Sequence, residues 1–213
     1  MSECITKDEF GRMVAGAATE IRTKHVMLSE LDCAAGDGDH GATMLRTMEK
    51  LEKAFAPGGS DDLKICLKDA GWSVLGVDGG ASSSLLGVFF TGMADAVGND
   101  LTEMFEAGLA ALQKQTKARP GDKTMMDALV PAINALRSAA NGGKSVREAL
   151  YDAAAAARAG ADATRNLQAR YGRAKFLGEK TLGHADPGAT SISFLFEGFY
   201  NGFTSVKGES NNA

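Results

Sequence analysis

Residues 31–44 read LDCAAGDGDHGATM, and Gly36 to Gly41 within them fit the spacing G-x-G-x-x-G. How this loop is read decides the fold. A dinucleotide fingerprint of that spacing needs a strand before it and a helix after it, inside a βαβ unit with a parallel sheet. The preceding residues, TKHVMLSELDCAA (23–35), read instead as the end of a helix, and no parallel sheet can be assembled around them. Two of the variable positions are aspartates, Asp37 and Asp39, with Asp32 just upstream, which is the wrong charge for a phosphate loop acting alone. In a chain with 26 glycines the spacing by itself is weak evidence, and the α/β reading fails on context.

Outward from this loop the pattern is helix after helix. TKDEFGRMVAGAATEI opens with the capping box Thr6-x-x-Glu9, and Phe10, Met13, Val14, Ala17 and Ile21 recur at helical spacing. A second helix is expected from His40 to Phe55, a third from Ser60 or Asp61, and a fourth after the Gly79-Gly80 break. LTEMFEAGLAALQKQT, TMMDALVPAINALRSAA and SVREALYDAAAAARAGADATRNLQ give three more, the last opening with the box Ser145-x-x-Glu148. GATSISFLFEGFYNGF, after Pro187, gives an eighth. No alternating strand pattern accompanies them, so the expected class is all-α, a helical bundle. The alanines at 153–157 read as a small-residue face for close packing. No linker divides the chain, which predicts one domain over 1–213 with a frayed tail at 207–213.

Composition narrows the function. With 213 residues, 44% hydrophobic and 23% charged, the chain has the make-up of a globular protein with a substantial core. A formal net charge of −4 leaves no basic excess for a nucleic acid or an anionic membrane. No apolar run approaches a membrane span and the N-terminus lacks the apolar core of a signal peptide, so a cytoplasmic location is expected. Cys4, Cys33 and Cys66 form neither a disulfide framework nor a CxxC pair. Cys33 reads as a small buried residue at a helix end.

Three aspartates remain. Asp32, Asp37 and Asp39 lie within eight residues, and the glycines between them allow their side chains to converge. Converging carboxylates repel unless a cation sits between them, and hard oxygen ligands select Mg²⁺ or Ca²⁺. A single aspartate here would be a solvated cap for the next helix; three among glycines point to a metal. An EF-hand reading fails because its twelfth position, counted from Asp37, is Met48. The Gly143-Lys144-Ser145 sequence is no P-loop, since Ser138 stands where the first glycine belongs. DGGASSS (78–84) places bare amides and hydroxyls at a helix start, suited to an anion. PGDKTMMDAL (120–129) is another loop-to-helix junction, with Thr124 as a cap. The irregular GRAKFLGEKTLGHADPGATS (172–191) carries Arg173, Lys175, Lys180, His184 and Asp186, and a polar segment of that length is a functional candidate. His40 and His184 read as hydrogen-bonding braces rather than as the bases of a hydrolase.

LDCAAGDGDHGATM, GGASSSLLG, PGDKTMMDALVPA and GRAKFLGEKTLGHADPGATS, in this order, resemble the nucleotide-binding L subunits of dihydroxyacetone kinases. That resemblance covers nearly the whole chain. It implies an eight-helix antiparallel barrel with a nucleotide, ADP or ATP, and two Mg²⁺ ions at one end. Carried over by motif, Asp32, Asp37 and Asp39 would be the metal ligands. Nucleotide contacts would come from His40, Gly41, Ala42 and Thr43, from Gly80, Ala81 and Ser82, and from Met125. Arg173 would contact phosphate and act in transfer with the three aspartates, while Asp186, Pro187 and Gly188 would line the site. The chain departs from the family's usual residues at Ser83, Ser84, Thr116 and Ala185, none of them among the aspartates.

The implied activity is phosphoryl transfer to a small hydroxyketone held by a partner K subunit, without which this kinase subunit is inactive. The phosphate donor is either ATP, or a resident ADP recharged by a phosphohistidine M subunit of the phosphotransferase system. Erythrulose as the acceptor, a homodimer, or a non-catalytic regulator that binds a transcription factor remain as alternatives.

Overall fold

The computed structural model describes residues 4–34 and 36–205. The expected tail, 207–213, lies outside them. Among the described residues the chain forms eight α-helices: α1 (Lys7–Cys33), α2 (His40–Ala54), α3 (Leu63–Leu75), α4 (Gly80–Met93), α5 (Leu101–Gln115), α6 (Met126–Asn141), α7 (Val146–Ala163) and α8 (Pro187–Thr204). Two 3₁₀ segments, Thr164–Asn166 and Arg173–Thr181, lie between α7 and α8. Both capping boxes are present, Thr6 with Glu9 and Ser145 with Glu148. The first helix runs further than its opening pattern indicated, carrying Asp32 on its last turn.

Each helix packs on its neighbours in sequence, and α8 returns onto α1, closing a ring. Short connections, and a long 164–186 segment whose two ends are joined by the Asp186 N–H donating to Thr164 Oγ1, make the directions of sequential neighbours alternate, so this is the antiparallel eight-helix barrel that the resemblance implied. Phenylalanines fill its interior. Phe105 of α5 meets Phe89 of α4 and Phe196 and Phe199 of α8 with ring centroids 5.6–5.9 Å apart, within the edge-on range aromatic rings prefer. The ring closes by close approach: Gly16 of α1 sits against the backbone of Gly198 and Gly202 in α8, where a Cβ would have no room. On α7, Ala153 and Ala157 of the alanine run are buried.

Alternation has one consequence for function. The connections 34–39, 76–79, 116–125 and 164–186 all fall at one end of the ring, and these hold the four motifs. The Gly143-Lys144-Ser145 sequence falls at the other end, between α6 and α7, away from them.

Candidate metal and phosphate site

Asp32, on the last turn of α1, and Asp37 and Asp39, in the connection to α2, each bring a carboxylate oxygen within 4.8 Å of the other two. The loop closes tightly because the Gly36 N–H donates back to the Asp32 carbonyl at 2.5 Å. Asp32 also accepts from the His40 N–H at 3.3 Å, so the first amide of α2 is held by the end of α1. Asp37 and Asp39 are exposed and Asp32 partly so. Arg173 pairs with Asp37, and its hydrogen bond holds the Asp37 carboxyl below its ordinary value.

Gly41 fixes how α2 meets α1. A Cβ there would fall on the His25 carbonyl, so only glycine lets the start of α2 lie this close to α1. His40 is buried, and burial above all lowers its pKa and favours the neutral ring. Its Nε2 lies 3.1 Å from Ser191 Oγ, and Ser191 gives its own proton to the Gly188 carbonyl at 2.9 Å. This contact braces α2 against α8. Ala42 is exposed beside it and Thr43 is buried. The Thr43 side chain packs against Gly79, at the start of α4.

Helix caps separate the two ends of the ring. At the far end Thr6, Asp62, Asp100 and Ser145 each cap their helix with a side-chain oxygen. At the motif end only α8 is capped by its own N-cap residue, Asp186, which accepts from the Ala189 N–H at 2.7 Å. The α6 start is supplied by Thr124, whose Oγ1 accepts from the Met126 N–H at 3.2 Å. No side chain caps α4, which begins on Gly80, Ala81 and Ser82. Uncapped amides at a helix start are donors aimed outward, the arrangement that binds anions.

Across the ring, Met125 is buried and faces Gly188, beside Pro187 at the first position of α8. Burial of the Asp186 carboxyl pushes its pKa up to about 7. A cavity of about 610 Å³ opens between the end of α5 and the start of α6, lined by Thr116, Lys117, Arg119, Pro120, Met126 and Val130 among others. It has cations and no carboxylate on its wall, a lining that does not suit a divalent metal. Cys33 does lie at a helix end, but it is exposed rather than buried.

Several residues escaped the sequence reading. Arg46 donates to the Asp78 carbonyl at 2.8 Å and to Thr43 Oγ1 at 3.1 Å, fixing the connection before α4 onto α2. Its spacing of three from Thr43 was the available signal. Asp127 accepts from the Gly121 and Thr124 N–H groups at 2.6 and 2.7 Å, shaping the start of α6. Lys123 and Thr164, both buried, carried no local pattern that set them apart.

Known proteins resemble this chain over most of its length. The DAK2 domain model matches residues 34–201. The ADP-binding subunit DhaL of PEP-dependent dihydroxyacetone kinase 1 from Listeria innocua is 38% identical over 89% of this chain and 93% of its own length. The corresponding DhaL subunit of Escherichia coli is also 38% identical, over 82% of this chain and 87% of its own. The crystal structure of the dihydroxyacetone kinase from C. freundii in complex with AMP-PNP and Mg²⁺ superposes with a TM-score of 0.73 at 25% identity, over 94% of this chain. This chain spans about a third, 35%, of that kinase. On these grounds the chain belongs to the DAK2 domain family and is a relative of the DhaL subunits of dihydroxyacetone kinases.

Proposed function

We propose that this chain is the nucleotide-binding, phosphoryl-transferring subunit of a dihydroxyacetone kinase, and that Asp32, Asp37 and Asp39 hold Mg²⁺ against the phosphates of a nucleotide. The observation that carries the proposal is the convergence of three carboxylates at the same end of the ring as the uncapped start of α4. The donor set suits the ion, since Mg²⁺ takes a few hard carboxylate oxygens and completes its shell with phosphate and water. Two ions is the number the family resemblance implies. Bound there, Mg²⁺ would neutralise the terminal phosphates, the main electrostatic requirement of phosphoryl transfer.

The chain's own groups do the rest. Amides at Gly80, Ala81 and Ser82 donate to phosphate oxygens without reorganising, because α4 leaves them free of side-chain caps. Arg173 passes its guanidinium from Asp37 to the phosphates, where it absorbs the charge that develops during transfer. His40 and Arg46 keep α2 and the loop before α4 in register, and Met125, Asp186, Pro187 and Gly188 bound the nucleotide on the far side. The hydroxyketone acceptor comes on a partner, the K subunit, as the family resemblance implies. Because the DhaL relatives are subunits of PEP-dependent kinases, ADP is the proposed resident nucleotide, recharged by a phosphohistidine protein. One domain and a cytoplasmic setting complete the proposal.

Calorimetry tests the assignment. The wild-type chain should bind Mg-ADP, and Asp37→Asn should abolish that binding with the helical circular dichroism unchanged. Normal Mg-ADP binding by a folded Asp37→Asn protein would overturn the ligand set.

A further inference from the structure

Among the described residues, Lys123 is the one non-glycine residue with a positive φ, 59°. It is also only 4% exposed. A left-handed backbone and a buried ammonium are each unfavourable, so both persist only where the surroundings hold them in place. The surroundings are specific. Asp127 sets the backbone on either side of Lys123 by accepting from Gly121 and Thr124. The Lys123 Nζ donates to the Thr164 carbonyl at 2.6 Å and to the His184 carbonyl at 2.5 Å.

Those two carbonyls stand at the two ends of the α7–α8 connection, which is drawn together into a stem. The Asp186 N–H donates to Thr164 Oγ1 at 2.9 Å, the Gly183 N–H to the Arg165 carbonyl at 2.8 Å, and the Ala169 N–H to Thr181 Oγ1 at 3.1 Å. Asp122, next to Lys123, accepts from the Arg170 N–H at 3.1 Å and pairs with its guanidinium at 3.3 Å. Beyond the stem the tip is bounded by Gly172 and Gly178, both with positive φ, and carries Arg173 to Asp37. The same junction sets Met125 against Gly188.

We propose that Lys123 is a positioning residue, a buried latch that fixes the stem of the 164–186 strap to the α5–α6 connection and so holds Arg173 and the Met125–Gly188 face in register for the nucleotide. This rests on the nucleotide-binding reading above. Burial pulls the Lys123 ammonium below its usual pKa; the nearby Asp186 and Asp127 carboxylates oppose that shift and the Arg165 guanidinium adds to it.

Two variants separate the ammonium from the backbone. Lys123→Met keeps the left-handed strain and removes the donor; Lys123→Gly relieves the strain and removes it too. If Lys123 only made a turn, glycine would be harmless. If it is a latch, both variants should behave alike. Trypsin should then cut at Arg170, Arg173, Lys175 and Lys180 about tenfold faster, the factor carried by one lost charge-assisted hydrogen bond. Mg-ADP affinity should fall by a similar factor, while the helical circular dichroism stays unchanged. Wild-type strap cleavage and Mg-ADP affinity in a folded Lys123→Gly protein would overturn the latch.

Should neither variant fold, reductive methylation of the wild-type protein decides. Lys123 should label far more slowly than Lys175 and Lys180, with Mg-ADP slowing it further, and labelling at their rate would overturn the latch. Failure of wild-type Mg-ADP binding would sink the nucleotide reading instead, and the proteolysis and labelling results would still judge the latch.

Discussion

Arg173 is the residue whose sequence role and structural partner differ most. Family resemblance assigned it to phosphate, and in the structure it sits on Asp37. The two are compatible if the guanidinium stands in for a cation among the carboxylates when no other cation is there. Asp37 can then serve the arginine or a metal, and the two compete. Arg173→Gln should accordingly bind Mn²⁺ alone several-fold more tightly than wild type, an effect that shrinks as salt screens the site. Both side chains are largely exposed, so the melting temperature should scarcely change. Turnover with a K subunit should fall by about 10²–10³, the usual loss when one donor to transition-state charge is removed. Weaker Mn²⁺ binding by the variant would show that Arg173 is no competitor for Asp37.

At the scale of elements, the contact between α1 and α2 joins packing to chemistry. Gly41 lies against the His25 carbonyl, and two residues before it Asp39 enters the cluster. Gly41→Ala must push the start of α2 away from α1, at a cost of about 1–3 kcal/mol for an overpacked contact. Because α2 carries His40 and follows Asp39, the same shift should weaken Mg-ADP binding. Gly59→Ala is the control: its Cβ would find ordinary contacts at 3.6 Å, in a connection at the far end. It should stay within about 0.5 kcal/mol of wild type. Urea midpoints and calorimetry on both variants test the pair, and equal behaviour would refute the close-approach reading. Gly41 also shows what the sequence makes legible. The glycine loop and its three aspartates stood out because spacing and residue type converged there. The demand for glycine at 41 comes from a carbonyl on another helix, and no local pattern carries it. Lys123 is hidden for the same reason, since both of its acceptors lie on a connection distant in sequence.

For the whole molecule, alternation of direction is what brings four separated motifs to one end of the ring. The helical class and most of the helix starts were legible from capping boxes and periodicity, which act over a turn or two. Closure of α8 onto α1 came only from the family resemblance and from no local pattern, because it depends on Gly16, Gly198 and Gly202 meeting across the full length of the chain. Under the proposed function the ring divides its helix starts between two tasks, side-chain caps at the far end and phosphate binding at the motif end. Ser145→Ala, which removes a far-end cap, should cost about 1 kcal/mol. It should leave Mg-ADP affinity at its wild-type value. Ser82→Asp, in the first turn of α4, should do the reverse. An acidic side chain there favours the helix by about 0.3–1 kcal/mol through the N-terminal amides. The same charge repels the phosphates those amides would bind, so affinity should fall at least about tenfold. Measured side by side by thermal melting and calorimetry, Ser145→Ala should lose stability alone and Ser82→Asp should lose affinity without losing stability. If Ser82→Asp kept its nucleotide affinity, the open start of α4 would not be the phosphate site, and the division of labour between the two ends of the ring would be wrong.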